Sequence, residues 1–325
     1  MTYLENSKQY TGSDLENIFF RPMLTGESAQ DLGVRVLYNM PQPTHVQLWD
    51  GQRNILQKFT SAGWAGGKAA TKYEKTVNLN RVKAELGFSA ANYFSMVYEK
   101  VSSLVNTHMD DLSGTELEQA ETALFKQALA ENIRVTMWIG DTSAASGYNT
   151  VDGLLKRING LVDDDGVYNF SYQAAALEDP AYVVELFDKL WAGADPRIPG
   201  LKADDRLAYF VSSDIYRLYE KYLDAKGADA AYADAMNGRR TLAYHGIPVV
   251  DVRLGSYLGA TSFRQSFVML TDRRNLVLAV NTADMPGNEV RMWYNPDEME
   301  NRQRAVFMAG TQILDEALIS FAYKQ

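Results

Sequence analysis

Apolar residues along this chain fall into distinct rhythms, and each rhythm predicts a different kind of element. Residues 1 to about 30 carry Leu4, Leu15, Ile18, Phe19, Phe20, Met23 and Leu24 without clear periodicity. Such a segment cannot build its own core, so either it packs on the parent domain or it lies across a neighbour. Strand-like runs follow at Val34–Tyr38 and His45–Trp49, with Pro41 and Pro43 between them, and Asp50-Gly51 is a tight-turn signal. A stretch of small residues from Thr60 to Thr71 precedes renewed strand character from Tyr73 to Phe88. Together these predict a long two-stranded hairpin with a flexible tip. A hairpin alone is marginal in water, so this one needs a surface to lie against.

The rhythm then becomes helical. Ser113-Gly114-Thr115-Glu116 has the form of a capping box, in which the hydroxyl satisfies an orphan amide and the carboxylate reaches back. Leu117, Ala120, Leu124, Phe125, Ala128, Leu129 and Ile133 follow at helical spacing and predict one buried stripe on a helix running to about Trp138, roughly 36 Å long. Gly140-Asp141 and a loop rich in Ser, Ala and Gly end it.

Residues 150 to about 270 read as alternating helix and strand. Asp179-Pro180 predicts a helix start whose inner face is Val183, Leu186, Phe187, Leu190 and Trp191. Leu207–Val211 is a strand, and Ser213 is placed as the cap of a helix with Ile215, Leu218, Tyr219, Tyr222 and Leu223 inward, closed by Gly227. Ile247–Val250 is a short strand. In the strand-rich tail, Phe267–Leu270 and Leu276–Val280 flank the turn Asp272–Asn275, and further strands fall at 289–294, 304–309 and 317–323. The fold class is α+β: an extended N-terminal third wrapped around one or two compact units.

Composition narrows the function. The sequence holds no cysteine, which excludes disulfides, thiolate metal sites and cysteine nucleophiles. The opening residues lack the basic and apolar regions of a secretion signal, and no apolar run approaches the roughly 20 residues that span a bilayer, so a soluble cytosolic protein is expected. The net charge of −9, with Lys and Arg scattered, disfavours direct nucleic-acid binding. An acidic wall near nucleic acid is repulsive, a property that a container could use to keep its contents mobile.

The search for chemistry returns little. His45, His108 and His245 lie far apart and form no metal-ligand spacing. Gly63–Ala69 resembles a phosphate loop but has three residues, where that motif needs four, between Gly63 and Gly67, and Ala69 replaces the magnesium-binding hydroxyl. Asp163-Asp164-Asp165-Gly166 has Ala174 at the twelfth position, where a calcium loop needs a carboxylate, so a solvated turn is the better reading. No nucleophile elbow or dinucleotide fingerprint is present. The chain is read as a non-enzyme without cofactor or metal.

The order of elements resembles the major capsid proteins of tailed bacteriophages, the Hong Kong 97-type fold. The resemblance rests on the arm, the hairpin, the long helix ending in Trp138-Ile139-Gly140-Asp141, then Asp152–Leu155, Tyr209–Tyr216, His245–Val250, Arg302–Phe307 and Ala317–Phe321. It implies an N-terminal arm (1–43), an E-loop hairpin (44–88) laid over an adjacent subunit, a peripheral domain with a spine helix (89–145), an axial domain (146–270), and the C-terminal part of the peripheral domain (271–325). It further implies a subunit that assembles with copies of itself into pentamers and hexamers of an icosahedral shell around double-stranded DNA, formed in the host cytoplasm and located in the virion capsid. No membrane takes part.

Phe19, Phe20, Trp49, Phe59 and Trp64 are candidates for burial across subunit contacts, where an aromatic side chain contributes on the order of a few kcal/mol before ordering costs. Some relatives carry a cleaved, helical, scaffold-like N-terminal segment. This chain shows none, which implies a separate scaffolding protein, alongside a portal and decoration proteins. Some relatives cross-link Lys to Asn, and Lys68 sits in the hairpin tip, where a solvated lysine is the simpler reading. Two alternatives remain open: a shell protein of a cellular encapsulin-like nanocompartment, distinguished by particle size and content, and an α/β enzyme with an unrecognised site, distinguished by a clean monomer in sedimentation.

Overall fold

The computed structural model describes residues 8–10, 18, 33–39, 44–49, 72–89, 116–162, 164, 166–226, 232–233, 241–258, 265–281, 289–295, 297–298 and 300–325. In chain order the strands are β1 (Lys8–Tyr10), β2 (Arg35–Tyr38), β3 (Thr44–Trp49), β4 (Lys72–Val77), β5 (Asn80–Ser89), β6 (Tyr168–Tyr172), β7 (Leu207–Val211), β8 (Tyr232–Ala233), β9 (Thr241–Tyr244), β10 (Ile247–Asp251), β11 (Phe267–Asp272), β12 (Leu276–Asn281), β13 (Glu289–Asn295), β14 (Glu300–Ile313) and β15 (Ile319–Lys324). The helices are α1 (Glu116–Ile139), α2 (Leu154–Asn159), α3 (Tyr182–Ala192), α4 (Ile198–Lys202) and α5 (Ser213–Ala225).

The strands form two large sheets and one hairpin. The first sheet is ordered β1-β13-β14-β12-β2, with β5 added on β14. Its backbone is β14, about 46 Å long at ~3.3 Å per residue. Side chains alternate along it, with Asn301, Gln303, Ala305, Phe307 and Ala309 inward. Sequence periodicity locates only the segment 304–309 of this strand, because Asn301 and Gln303 are polar residues on the buried face. Both edges of β14 are in use: β5 takes one over Glu300–Ala309, while β13 and then β12 take the other.

The second sheet is ordered β6-β15-β11-β7-β10-β9-β8. Its central strands β7 and β11 are buried at every position, and β7 is apolar throughout, because both faces are covered. From β7, Ala208 and Phe210 face one core while Leu207, Tyr209 and Val211 face another, and β11 divides in the same way. The outer core lies under α3 and α5, where Phe187 stacks at 4.7 Å on Tyr209 and 5.2 Å on Tyr219. Trp191, assigned inward by periodicity, is half-buried, with the Lys202 ammonium 5.5 Å from its ring. The helix cap expected at Ser213 is one residue earlier at Ser212, whose hydroxyl accepts the Phe267 amide at 3.1 Å, while the Ser213 hydroxyl donates to Asp251 at 2.8 Å.

The inner core joins the two sheets through α1. Phe125, Leu129 and Ile133 are buried as predicted, but Leu124 is 37% exposed. Leu117, Ala120 and the capping residues lie where no side chain is described. At the far end of α1, Trp138 is fully buried with its ring 5.7 Å from Phe210 and 6.4 Å from Phe267 of the second sheet, in the same cluster as Leu278 and Phe307 of the first. The helix is thus a wedge shared by both sheets.

Two crossovers also join the sheets. The chain leaves β11 through a single 3-10 turn, Arg273–Asn275, and enters β12 of the other sheet. It returns from β14 through Leu314–Leu318 into β15. The last strand therefore pairs with β11 and β6 in the second sheet, where a single boundary at residue 270 groups it with the first. Asn275 staples the two crossings: its amide donates to the Asp315 carbonyl at 2.8 Å and its side-chain oxygen accepts the Asp315 amide at 2.7 Å.

The returning half of the predicted hairpin is likewise two strands. Only β4 pairs with β3; after Asn78-Leu79 the chain becomes β5 and joins β14. The break falls at Asn78-Leu79, between β4 and β5, and Val77 and Leu79 on either side of Asn78 are both buried in one apolar cluster at the hairpin root.

The end of α1 is held by a polar knot. The Gly153 amide donates to the Gly140 carbonyl at 2.7 Å, and a Cβ at Gly140 would stand 2.1 Å from the Val151 carbonyl oxygen. Lys156 bridges Asp141 at 2.7 Å and Asp152 at 2.6 Å. The Lys156 hydrogen bond, helped by the Ser143 hydroxyl and amide, holds the Asp141 carboxyl well down, from 3.8 to about 2. A depressed folded-state pKa stabilises above the unfolded value and loses that effect as pH falls through the folded one. Asp141→Asn should therefore lower the melting temperature near neutral pH, and the difference from wild type should shrink as pH falls from about 4 to about 2; a difference independent of pH contradicts the assignment. A second prediction concerns Gln303, whose side-chain nitrogen and oxygen are both buried without a hydrogen-bond partner among the described residues. Such a group costs about 1–3 kcal/mol, so Gln303→Met should raise the unfolding free energy in urea titration, and a fall would contradict this.

Candidate interaction surface

Three features meet where the hairpin leaves the body. The first is its root. Val46 of β3 with Val77 and Leu79 packs on Val277, Ala279 and Leu314 in a small apolar cluster, on the face of the first sheet opposite the inner core. This division explains why β12 has no polar alternation: Leu276, Leu278 and Val280 serve one cluster, Val277 and Ala279 the other. Around the root, the Gln312 side-chain amide donates to the Thr76 carbonyl at 2.9 Å, and Lys75 pairs with Glu316 at 2.6 Å. On the hairpin itself, His45 Nδ1 lies 2.8 Å from Glu74 Oε1 and 3.2 Å from the Thr76 hydroxyl.

The second feature is β5. Val82 and Ala84 are half-buried, between the exposed Arg81, Lys83 and Glu85. Beyond them Leu86 is 37% exposed. Between β5 and α1 runs an apolar groove of about 580 Å³, walled by Val82, Ala84, Leu86, Phe125, Leu129 and Ile133 and floored by Phe307 and Ala309. The third is a cleft of about 330 Å³ between the hairpin at Glu74-Lys75, the turn at Asp164–Val167 and the crossover at Leu314–Ala317.

The described residues of this surface offer packing and hydrogen bonding. Among the described residues no cluster of His, Asp and Glu has the arrangement of a metal site. Asp164 accepts the Gly166 amide at 2.8 Å, closing a turn. His245 occupies the left-handed tip between β9 and β10 at φ 48°, with its ring against Tyr244. The displaced titrations sit in structural positions as well: burial pushes the Tyr219 phenol up to about 12 in the outer core, where its hydroxyl donates to the Ala243 carbonyl. The Arg197 guanidinium is raised by its hydrogen bond to Asp195.

Of the five candidate contact aromatics, Phe19, Phe20, Phe59 and Trp64 lie outside the described residues, as do His108 and Lys68. Trp49 ends β3 opposite Lys72, and its side chain lies outside the described ones. The residues that fix the hairpin, Lys75, Gln312 and Glu316, were not singled out by sequence. More than 230 positions separate the partners, with sequence separations of 241 for Lys75–Glu316 and 236 for Thr76–Gln312, and no local pattern marks such a pair.

A tight backbone approach lies at the root. A Cβ at Gly310 would stand 2.1 Å from the Asn78 carbonyl oxygen. Gly310→Ala should therefore displace the bend between β4 and β5 and cost about 1–3 kcal/mol in unfolding free energy, with faster amide exchange at 72–80. Unchanged stability and exchange would show that the bend does not depend on this contact.

No family model matches the sequence, and no curated protein matches it. Solved structures do match, over nearly the whole length. A chain of the satellite phage P4 procapsid including size determination (Sid) protein superposes with a TM-score of 0.56 at 12% identity, covering 94% of this chain and 90% of that one. A chain of the capsid of a native GTA particle gives 0.51 at 13% identity, with 93% and 91% covered. The capsid of the cyanophage P-SCSP1u gives 0.50 at 9% identity, with 92% and 88% covered. At such identities the likeness is one of fold, over more than nine-tenths of this chain: this α+β chain has the Hong Kong 97-type fold of tailed-phage major capsid proteins.

Proposed function

We propose that the chain is a structural, non-catalytic subunit that assembles with copies of itself into pentamers and hexamers of an icosahedral phage head enclosing double-stranded DNA. The observation that carries this is the end-to-end match of fold to a phage procapsid chain, with 94% of one and 90% of the other superposed. The hairpin supports the same reading. Its described part is held by a small cluster at one end, and a two-stranded ribbon extending beyond such an anchor gains stability by lying on another surface. In a closed symmetric assembly every copy offers that surface to its neighbour.

The net charge of −9 fits a container better than a binder of DNA, because an acidic wall repels phosphates and leaves the contents mobile. Assembly then draws on a separate scaffolding protein, with a portal and decoration proteins completing the virion. The host cytoplasm is the place of assembly.

Deleting residues 60–71 should leave circular dichroism and thermal unfolding of the compact domains near wild type while abolishing closed particles in sucrose-gradient sedimentation and negative-stain microscopy. Normal particles from the deleted chain would overturn the role given to the hairpin. Particles that enclose protein rather than DNA would overturn the assignment to a phage head.

A further inference from the structure

The segment between β14 and β15 touches three otherwise separate parts of the molecule within consecutive residues. Leu314 is buried in the hairpin-root cluster with Val46, Val77 and Leu79. Asp315 binds the second sheet's helical layer, accepting from Arg197 at 2.8 Å, and Arg197 is held in place by Asp195 at 3.0 Å. Its backbone is gripped on both sides by the Asn275 side chain, and the Leu314 amide donates to the Asn275 carbonyl at 3.0 Å. Glu316 then reaches back across the cleft to Lys75 on the hairpin.

From this geometry we propose that Leu314–Glu316 is a lever that couples the inclination of the β3–β4 hairpin to the position of the second sheet and its helices. The cleft of about 330 Å³ gives the hairpin room to close on the body or swing from it, and the Lys75–Glu316 pair spans that space. The crossover is short and doubly bound, so a shift of Arg197 and α4 moves Asp315, and the adjoining Leu314 and Glu316 move with it. Coupling of this kind is reciprocal: whatever tilts the hairpin must also bias the second sheet. In a shell this would tie the angle at which a subunit embraces its neighbour to the way its other domain meets the symmetry axis. The coupling itself is a property of the single chain, and its test does not depend on the shell reading.

Hydrogen exchange followed by mass spectrometry on the full-length protein tests the lever. Lys75→Met removes only a half-exposed ammonium. It should quicken exchange at 72–77 and, by about three-fold or more, at 195–202 and 273–275, a change within the range of couplings carried by such networks. Asp315→Asn should do the reverse, loosening 195–202 directly and 72–77 at a distance. The paired swap Lys75→Glu with Glu316→Lys should return 195–202 to the wild-type rate. Effects confined to the side of each substitution, a swap that fails to restore the remote site, or a rise spread evenly through α1 would each overturn the proposal.

Discussion

The molecule depends on its two sheets being unable to move apart freely. Three connections prevent it: the single 3-10 turn from β11 to β12, the return from β14 to β15, and the end of α1, whose Trp138 is buried among residues of both sheets. Asn275 binds the two backbone crossings to each other through both polar atoms of its side chain. Buried amides that find partners for donor and acceptor fix one geometry and cost little. Removing that side chain would leave the Asp315 amide without its partner at the joint, while the carbonyl would keep only the Leu318 amide at 3.3 Å.

A rigid joint of this kind suits a chain whose surfaces must meet others at set angles. The inner core is built from alternate residues of β7, β11 and β12, and the remaining residues of those strands face two further clusters. One of these is the small socket that holds the hairpin root. Burial on both faces makes the three strands intolerant of polar substitution, and it carries the position of α1 through to the hairpin. The extended parts therefore begin from a fixed base, while the groove between β5 and α1 keeps apolar area at the surface, a feature associated with interaction sites.

Much of this is legible in the sequence, for identifiable reasons. The helical stripe of Phe125, Leu129 and Ile133, the apolar face of α3 and the run Leu207–Val211 repeat at periods that local reading detects. Leu124 departs from the expectation because an apolar residue at the margin of the stripe looks the same in sequence whether it meets a core or solvent. The sequence makes the hairpin too long because Tyr73–Phe88 is continuous in character, and nothing local reveals that its second half pairs with β14. β14 was read too short because Asn301 and Gln303 occupy inward positions. Of the proposed contact aromatics, only Trp49 falls in a described strand, opposite Lys72. The pairs that set the joint, Asn275–Asp315, Arg197–Asp315 and Lys75–Glu316, link distant segments and leave no periodic trace.

The central claim is that this fold exists to be tiled, each copy leaning on the next through its extended parts. An electron cryomicroscopy reconstruction of particles formed by the purified full-length chain tests it most directly. The account predicts a closed shell of five- and six-membered rings in which residues 50–71 of each subunit lie against a neighbouring copy. Particles in which that segment is folded on its own subunit, without contact to a neighbouring copy, would contradict it.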